Sequence, residues 1–121
     1  MEKRSHSLGK YGEKLAADML RRKGYTIREI NWRTGHKEID IVADKDNYII
    51  FAEVKTRSAD YQLHPRDAVT TPKQRNIIFA AETYLKLHRI MKEVRFDIIT
   101  VIADGKKITT EHIEDGFYPT L

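Results

Sequence analysis

The chain has 121 residues, of which 40% are hydrophobic and 33% charged: material for one domain with a modest core, and too little for two. Its 22 Lys plus Arg against 18 Asp plus Glu leave a net charge of +4, a surplus that permits a polyanionic partner. Cysteine is absent, which excludes a disulfide scaffold, a zinc ribbon and a thiol nucleophile and suits a reducing cytoplasm. No apolar stretch is longer than Tyr48 to Ala52, which is far below the ~20 residues of a membrane-spanning helix. The polar start, Met-Glu-Lys-Arg-Ser-His-Ser, has no apolar block of a secretory signal behind it. The expectation is a single cytoplasmic domain over residues 1–121, off the membrane, with residues 1–6 frayed.

From Ser7 the pattern is helical: Leu8, Tyr11, Leu15 and Met19 recur at three- and four-residue steps, widened by Ala16 and Leu20. Arg21, Arg22 and Lys23 bring positive charge to the last turn and Gly24 stops it. Gly9 and Gly12 each cost a helix about 1 kcal/mol relative to Ala, so close packing is the reason to look for. Tyr25 to Ile30 alternates as a short strand, with Asn31-Trp32-Arg33-Thr34-Gly35 as the following loop. Two strands follow, Glu38 to Ala43 and Tyr48 to Thr56, separated by the polar tetrad Asp44-Lys45-Asp46-Asn47. In the second strand Ile49 and Phe51 point one way and Ile50, Ala52 and Val54 the other, which marks a central strand covered on both faces. Ser58 to Thr70 is a polar loop containing Pro65. Thr71 is placed as an N-cap, with Pro72 opening the helix and Gln74 completing a capping box. That helix runs to about Arg89 with Ile77, Ile78, Ala81, Tyr84, Leu85 and His88 inward, and strands Val94 to Ala103 and Lys107 to Ile113 flank an Asp104-Gly105 turn. The sum is an α/β (α+β) domain with a mixed sheet between two helices.

Familiar chemistries drop out first. The five histidines (6, 36, 64, 88, 112) make no HExxH pair, Gly9-Lys10-Tyr11-Gly12 lacks the strand and spacing of a phosphate loop, and there is no Gly-x-Ser-x-Gly elbow. What remains is acid inside strands: Asp40 between Ile39 and Ile41, and Glu53 in the apolar run from Tyr48 to Val54. Such acids resist burial unless paired or metal-bound. Alternation puts Glu53 and Lys55 on one face. A hairpin centred between Lys45 and Asp46 would set Asp40 near Asn47 to Phe51, so Asp40 and Glu53 would meet only through a bulge, twist or another pairing. Lys55 in a partly buried salt bridge with Asp40 or Glu53 is one reading. A cation joining the two acids is the other, because two acids against one lysine leave surplus negative charge that raises a carboxyl pKa.

Asp40, a thirteen-residue interval and Glu53-Val54-Lys55 resemble the Asp…Glu-x-Lys core of the PD-(D/E)XK nucleases, the restriction-endonuclease-like fold. The chain is most similar to the YraN-like family of small bacterial proteins within that superfamily. The likeness extends over six ordered blocks: Gly9-x-x-Gly12-Glu13 with Ala16 and Leu20, Glu38 to Ala43, Phe51 to Arg57, Pro65-x-x-Ala68-Val69, Lys73 to Ala81, and Arg95-Phe96-Asp97. One departure stands out, Lys37 where the pattern has Gly before Glu-Ile-Asp. The resemblance implies that Asp40 and Glu53 hold a divalent ion, Mg2+ or Mn2+, with the Val54 carbonyl as a further ligand. It implies that Lys55 orients or deprotonates the attacking water and offsets charge on phosphate. Glu13 would reach the metal directly or through water, and Gly12 would let its helix come close; Glu13 as an ordinary solvated helix acid is the competing reading. Lys73 at a helix N-terminus would touch phosphate. Asp97 reads as a structural acid paired with a basic neighbour. Trp32 and Tyr61 can stack on bases, although a lone Trp in a small domain more often packs.

The function so implied is metal-dependent hydrolysis of DNA phosphodiesters, with branched or structured DNA as a substrate by similarity to archaeal junction resolvases; cutting both strands symmetrically would require a homodimer. The alternative is a nucleic-acid-binding module with the nuclease fold and no independent cleavage. A protein-interaction domain using a sheet edge has no positive support in the residues. Lys3, Arg4, Arg21, Arg22, Arg57, Arg66, Lys73 and Arg75 are the phosphate contacts on offer.

Overall fold

The computed structural model describes the backbone of residues 2–59 and 69–119, and the side chains of 8–59 and 69–119. The chain runs α1 (Glu2–Arg22), β1 (Thr26–Thr34), β2 (Lys37–Lys45), β3 (Tyr48–Ser58), α2 (Thr71–His88), β4 (Glu93–Asp104) and β5 (Lys107–Phe117). The five strands form one sheet in sequence order, β1-β2-β3-β4-β5. Hairpins make three of its pairings antiparallel, while β3 and β4, joined through α2, are parallel, as a helical crossover requires. β3 is central, as its two greasy faces demand. Ile49 and Phe51 meet Ile77, Ala80, Ala81 and Tyr84 of α2, and Ile50 and Ala52 meet Ala16, Ala17 and Leu20 of α1. This α+β, mixed-sheet architecture is that of the restriction-endonuclease-like fold.

Several boundaries differ from the sequence reading. α1 starts at Glu2 rather than Ser7, taking in most of the stretch expected to fray. β1 does not stop at Ile30: it continues to Thr34, and a two-residue turn at Gly35 (φ 60) and His36 leads into β2. Asn31, assigned to a loop, sits inside that strand in the left-handed region, φ 55, a conformation that Asn tolerates better than most residues. The N-cap of α2 is Thr70, one residue before Thr71. Its hydroxyl accepts from the Lys73 N–H at 3.4 Å, and the Gln74 amide donates to the Val69 carbonyl instead of closing a capping box. His88 is exposed, its ring resting 4.1 Å from that of Tyr84. β5 continues four residues past Ile113. Gly12 is buried, and a methyl there would overlap the Thr56 hydroxyl of β3, so its cost in helix propensity secures close approach of α1 to the sheet. No helix among the described residues is long and apolar enough to cross a membrane.

Candidate active site

Asp40 and Glu53 are brought together by the β2–β3 hairpin. Its turn is Asp46-Asn47, with Lys45 opposite Tyr48 and Asp46 at φ 55. That centre lies one residue later than the sequence suggested, and moving a turn by one residue moves every cross-strand partner by two. The observed register runs to Ile41 opposite Ala52, one residue short of Asp40 and Glu53, and the alternation of β2 breaks at Asp40, since Ile39 packs on the α2 side and Ile41 on the α1 side. There the ladder ends, and the Asp40 carboxylate takes the place of a strand partner: Oδ2 accepts the Val54 N–H at 2.8 Å. Asp40 thus lies where β2 and β3 part, beside the peptide that joins Glu53 to Val54.

Glu53 is only 3% exposed. Its Oε1 faces Lys55 Nζ at 3.5 Å and Lys73 Nζ at 3.8 Å, the latter from the first turn of α2. Its Oε2 is buried and has no hydrogen-bond partner among the described residues. Both lysines therefore serve one oxygen of one acid, and the salt bridge that Lys55 makes is with Glu53. Burial and the neighbouring Glu53 carboxylate push the Asp40 carboxyl up to about 7, against the opposing pull of the Val54 N–H and Lys73. A carboxyl raised by burial and by its acidic neighbour, beside a buried carboxylate oxygen with no partner among the described residues, is a place where a cation would relieve repulsion. Two carboxylates, with no imidazole or thiolate beside them, are the donor set of a hard divalent cation. The residues fit Mg2+ or Mn2+.

Glu13 approaches from the other face. Val54 packs with the α1 cluster, and Glu13 of α1 lines a cleft of about 260 Å3 together with Leu8, Gly9, Val54 and Thr56. Its Oε2 accepts from Asn31 Nδ2 at 2.8 Å, so it is not simply a solvated helix acid. Among the described residues, however, no three acidic or imidazole side chains converge tightly enough to hold a metal. Asp40 and Glu53 form a pair, with Glu13 outside it. Asn31 is the neighbour that sequence reasoning missed. Assigning residues 31–35 to a loop hid it, and the signal available was an Asn, tolerant of φ > 0, amid residues that go on alternating.

The remaining candidates separate clearly. Arg57 follows Lys55 by one strand period and is half-buried, and Arg75 is exposed on α2; neither is among the ion pairs drawn to Glu53. Lys37, the departure from the family pattern, holds its ammonium 4.6 Å from the centre of the Phe79 ring on α2. Trp32 packs edge-on against Tyr84 at 5.0 Å and belongs to the core. Tyr61, Pro65, Arg66 and Ala68, and the side chains of Lys3 and Arg4, lie outside the described residues. Asp97 is structural, as expected. Fully buried, it binds Arg95 at 2.9 Å and His112 Nε2 at 2.7 Å. Lys23 Nζ lies 2.9 Å from His112 Nδ1, and an ammonium can only donate, so the ring proton sits on Nε2 and points at Asp97. Burial alone would raise the Asp97 carboxyl, but His112 and Arg95 hold it below its ordinary value.

Comparison with known proteins points to one family. The family model of UPF0102, described as an uncharacterised protein family, matches residues 12–101, a span that includes every acid and lysine of the site. A UPF0102 protein of Bacteroides fragilis is 54% identical over 115 residues, covering 94% of each chain. Others from Bacteroides thetaiotaomicron and Flavobacterium psychrophilum are 47% and 42% identical, the former over 96% of both chains and the latter over 93% of this chain and 95% of its own. This chain belongs to the UPF0102 family, the YraN-like family.

Proposed function

We propose that the protein is a metal-dependent endonuclease that hydrolyses DNA phosphodiesters. The observation that carries this reading is the buried Asp40–Glu53 pair, with the Asp40 carboxyl raised and one Glu53 oxygen unpartnered, flanked by two lysines at the point where β2 and β3 part. In this reading the two carboxylates and the Val54 carbonyl hold Mg2+ or Mn2+. A bound divalent ion would supply charge to the phosphate oxygens and make water a better nucleophile near neutral pH. The chain's own residues do the rest. Lys55 donates to a non-bridging phosphate oxygen or to the attacking water, fixing its line of approach and offsetting charge that grows in the transition state. Lys73, on the exposed rim and beside the N-terminus of α2, takes a neighbouring phosphate, with Arg57 and Arg75 extending the basic track. Branched or structured DNA is the proposed substrate, with a homodimer for paired cuts.

A second reading is supported by the absence of a third converging acid among the described residues: a nucleic-acid-binding module that does not cleave alone. A panel of linear, nicked, flapped and four-way DNAs with Mg2+, Mn2+ or EDTA separates the two. The nuclease reading expects cutting of at least one DNA with ion and none with EDTA. Salt-sensitive binding without cutting at any ion concentration would favour the module.

A further inference from the structure

Asn31 combines three features that its local sequence does not explain. It stands in the middle of β1 with φ 55, where a strand residue would ordinarily be extended. The register Ile30–Ile41 and Trp32–Ile39 sets it directly opposite Asp40 on β2. Its side chain turns toward α1, and Nδ2 donates to Glu13 Oε2 at 2.8 Å. Placing a non-glycine residue in the left-handed region inside a strand costs stability, and such strain persists where the surroundings over-determine it. Extended backbone at this position would preserve the alternation of β1, and there the side chain would project on the opposite side of the pleat. The unusual φ and the bond to Glu13 therefore belong together.

Glu13 and Glu53 approach the strand ends from opposite sides. Glu13 reaches the cleft beside Val54 from α1, while the Glu53 carboxylate is drawn toward lysines on the α2 side. The Asp40 carboxylate accepts the N–H of Val54, the residue that lines the cleft with Glu13. A long flexible acid on a helix has many rotamers, and one held by an amide from the strand residue facing Asp40 has few. A carboxylate that orders water around an ion must be held in this way, because the outer partners of a metal site fix the orientation of the groups nearer to it.

We propose that Asn31 is a positioning residue for the candidate site. Its left-handed backbone and its amide hold the Glu13 carboxylate at the strand position facing Asp40, where Glu13 acts on the bound ion through water. The inference rests on the metal-site reading above. It assigns the pair of residues that converts a two-acid site into a three-acid one without direct contact of the third acid.

The test is Mn2+ binding, by titration calorimetry and by ion-dependent melting, on the intact chain without DNA. Asn31→Gly keeps the left-handed backbone accessible and removes only the amide; Asn31→Ala removes the amide and strains the backbone as well. The expected result is that Asn31→Gly melts close to wild type without metal but binds Mn2+ at least tenfold more weakly, within the 10- to 100-fold range of outer-partner losses. Glu13→Gln should show a similar loss, and the double variant Glu13→Gln/Asn31→Gly little further loss, since the two act as one unit. Asn31→Gly with undiminished Mn2+ affinity, whatever its melting temperature, would make the amide a brace between α1 and β1 and overturn the proposal alone. Additive losses in the double variant would also overturn it, because Asn31 would then act independently of Glu13. A wild type that binds no Mn2+ would overturn the metal-site reading and this proposal with it.

Discussion

Replacing Asp40 by Asn tests the electrostatic state of the site without any substrate. The change keeps the side-chain volume, keeps an oxygen to accept the Val54 N–H, and adds an amide that can donate to the orphaned Glu53 Oε2. It also removes one of two crowded negative charges. The Asp40 carboxyl is raised from 3.8 to about 7 by burial and by Glu53. A folded-state pKa above the unfolded one means that the folded chain binds the proton more tightly. The associated stability is complete below the unfolded value near 4 and is lost as pH rises through about 7. At about 1.4 kcal/mol for each tenfold change in proton affinity, the charged form costs the metal-free fold at most ~4 kcal/mol above pH 7, and relaxation and water reduce this to roughly 1–3 kcal/mol. The neutral amide of the variant carries no such cost. In EDTA at about pH 8, Asp40→Asn should therefore melt roughly 3 to 12 °C above wild type, the gap closing as pH falls toward about 5. Mn2+ should raise the melting temperature of wild type and leave the variant nearly unchanged. The assay is thermal unfolding of both proteins at two pH values, with and without ion. An Asp40→Asn protein melting well below wild type at about pH 8, beside a wild type blind to Mn2+, would show that Asp40 is half of a structural ion pair and refute the reasoning.

The opposite pH dependence is expected of Asp97, whose carboxyl His112 and Arg95 hold below its ordinary value despite burial. Its contribution is present above the unfolded pKa near 4 and disappears as pH falls through the folded one, so Asp97→Asn should flatten the acid limb of a denaturation–pH profile. The same variant leaves Arg95 and its buried neighbours uncompensated and should cost about 3–5 kcal/mol in urea unfolding near neutral pH. Gly12→Ala should destabilise by about 1–3 kcal/mol despite the helix propensity of Ala, because the added methyl overlaps Thr56; Thr56→Ala in the same chain should restore most of the loss, and no restoration would mean that Gly12 serves another purpose. If about four phosphates are neutralised by Lys73, Arg57, Arg75 and their neighbours, the logarithm of DNA affinity should fall against log salt with a slope of roughly −3 to −4. Salt-independent binding would remove the phosphate track.

The fold was legible where the chain's periodicity was strong. β3 announced its central place through Ile49 to Val54, apolar on both faces, and α1 and α2 through apolar stripes ending at Gly24 and near Arg89. The meeting of Asp40 with Glu53 was legible only as a possibility, because composition marks a turn but does not fix its centre. Asp44 to Asn47 offers several two-residue turns, and the choice of Asp46-Asn47 shifts every β2 partner by two and brings Asp40 to the end of the β3 ladder beside Glu53. β1 was misread past Ile30 for a related reason. Asn, Thr and Gly in residues 31–35 carry loop propensity, yet the burial of Trp32 against Tyr84 keeps that stretch in the sheet. Tertiary packing outweighed local preference there. Lys73 could be placed at a helix start from Thr-Pro-Lys-Gln alone, but its reach to Glu53 depends on how α2 sits over β3, which no local pattern encodes. Asp97 was read correctly as paired, its partners being two residues away on the same strand and across the sheet on β5.

In the proposed hydrolytic site Asp40 and Glu53 hold the ion, and Lys55 acts on water and phosphate. Lys55→Ala separates those two roles in one experiment, with Mn2+ affinity and the cleavage rate of a susceptible DNA measured on the same preparation. The variant should bind Mn2+ at least as well as wild type, since a positive charge 3.5 Å from Glu53 is gone, while cleavage falls by about two orders of magnitude or more. A Lys55→Ala protein that cuts DNA as fast as wild type would contradict this assignment of roles.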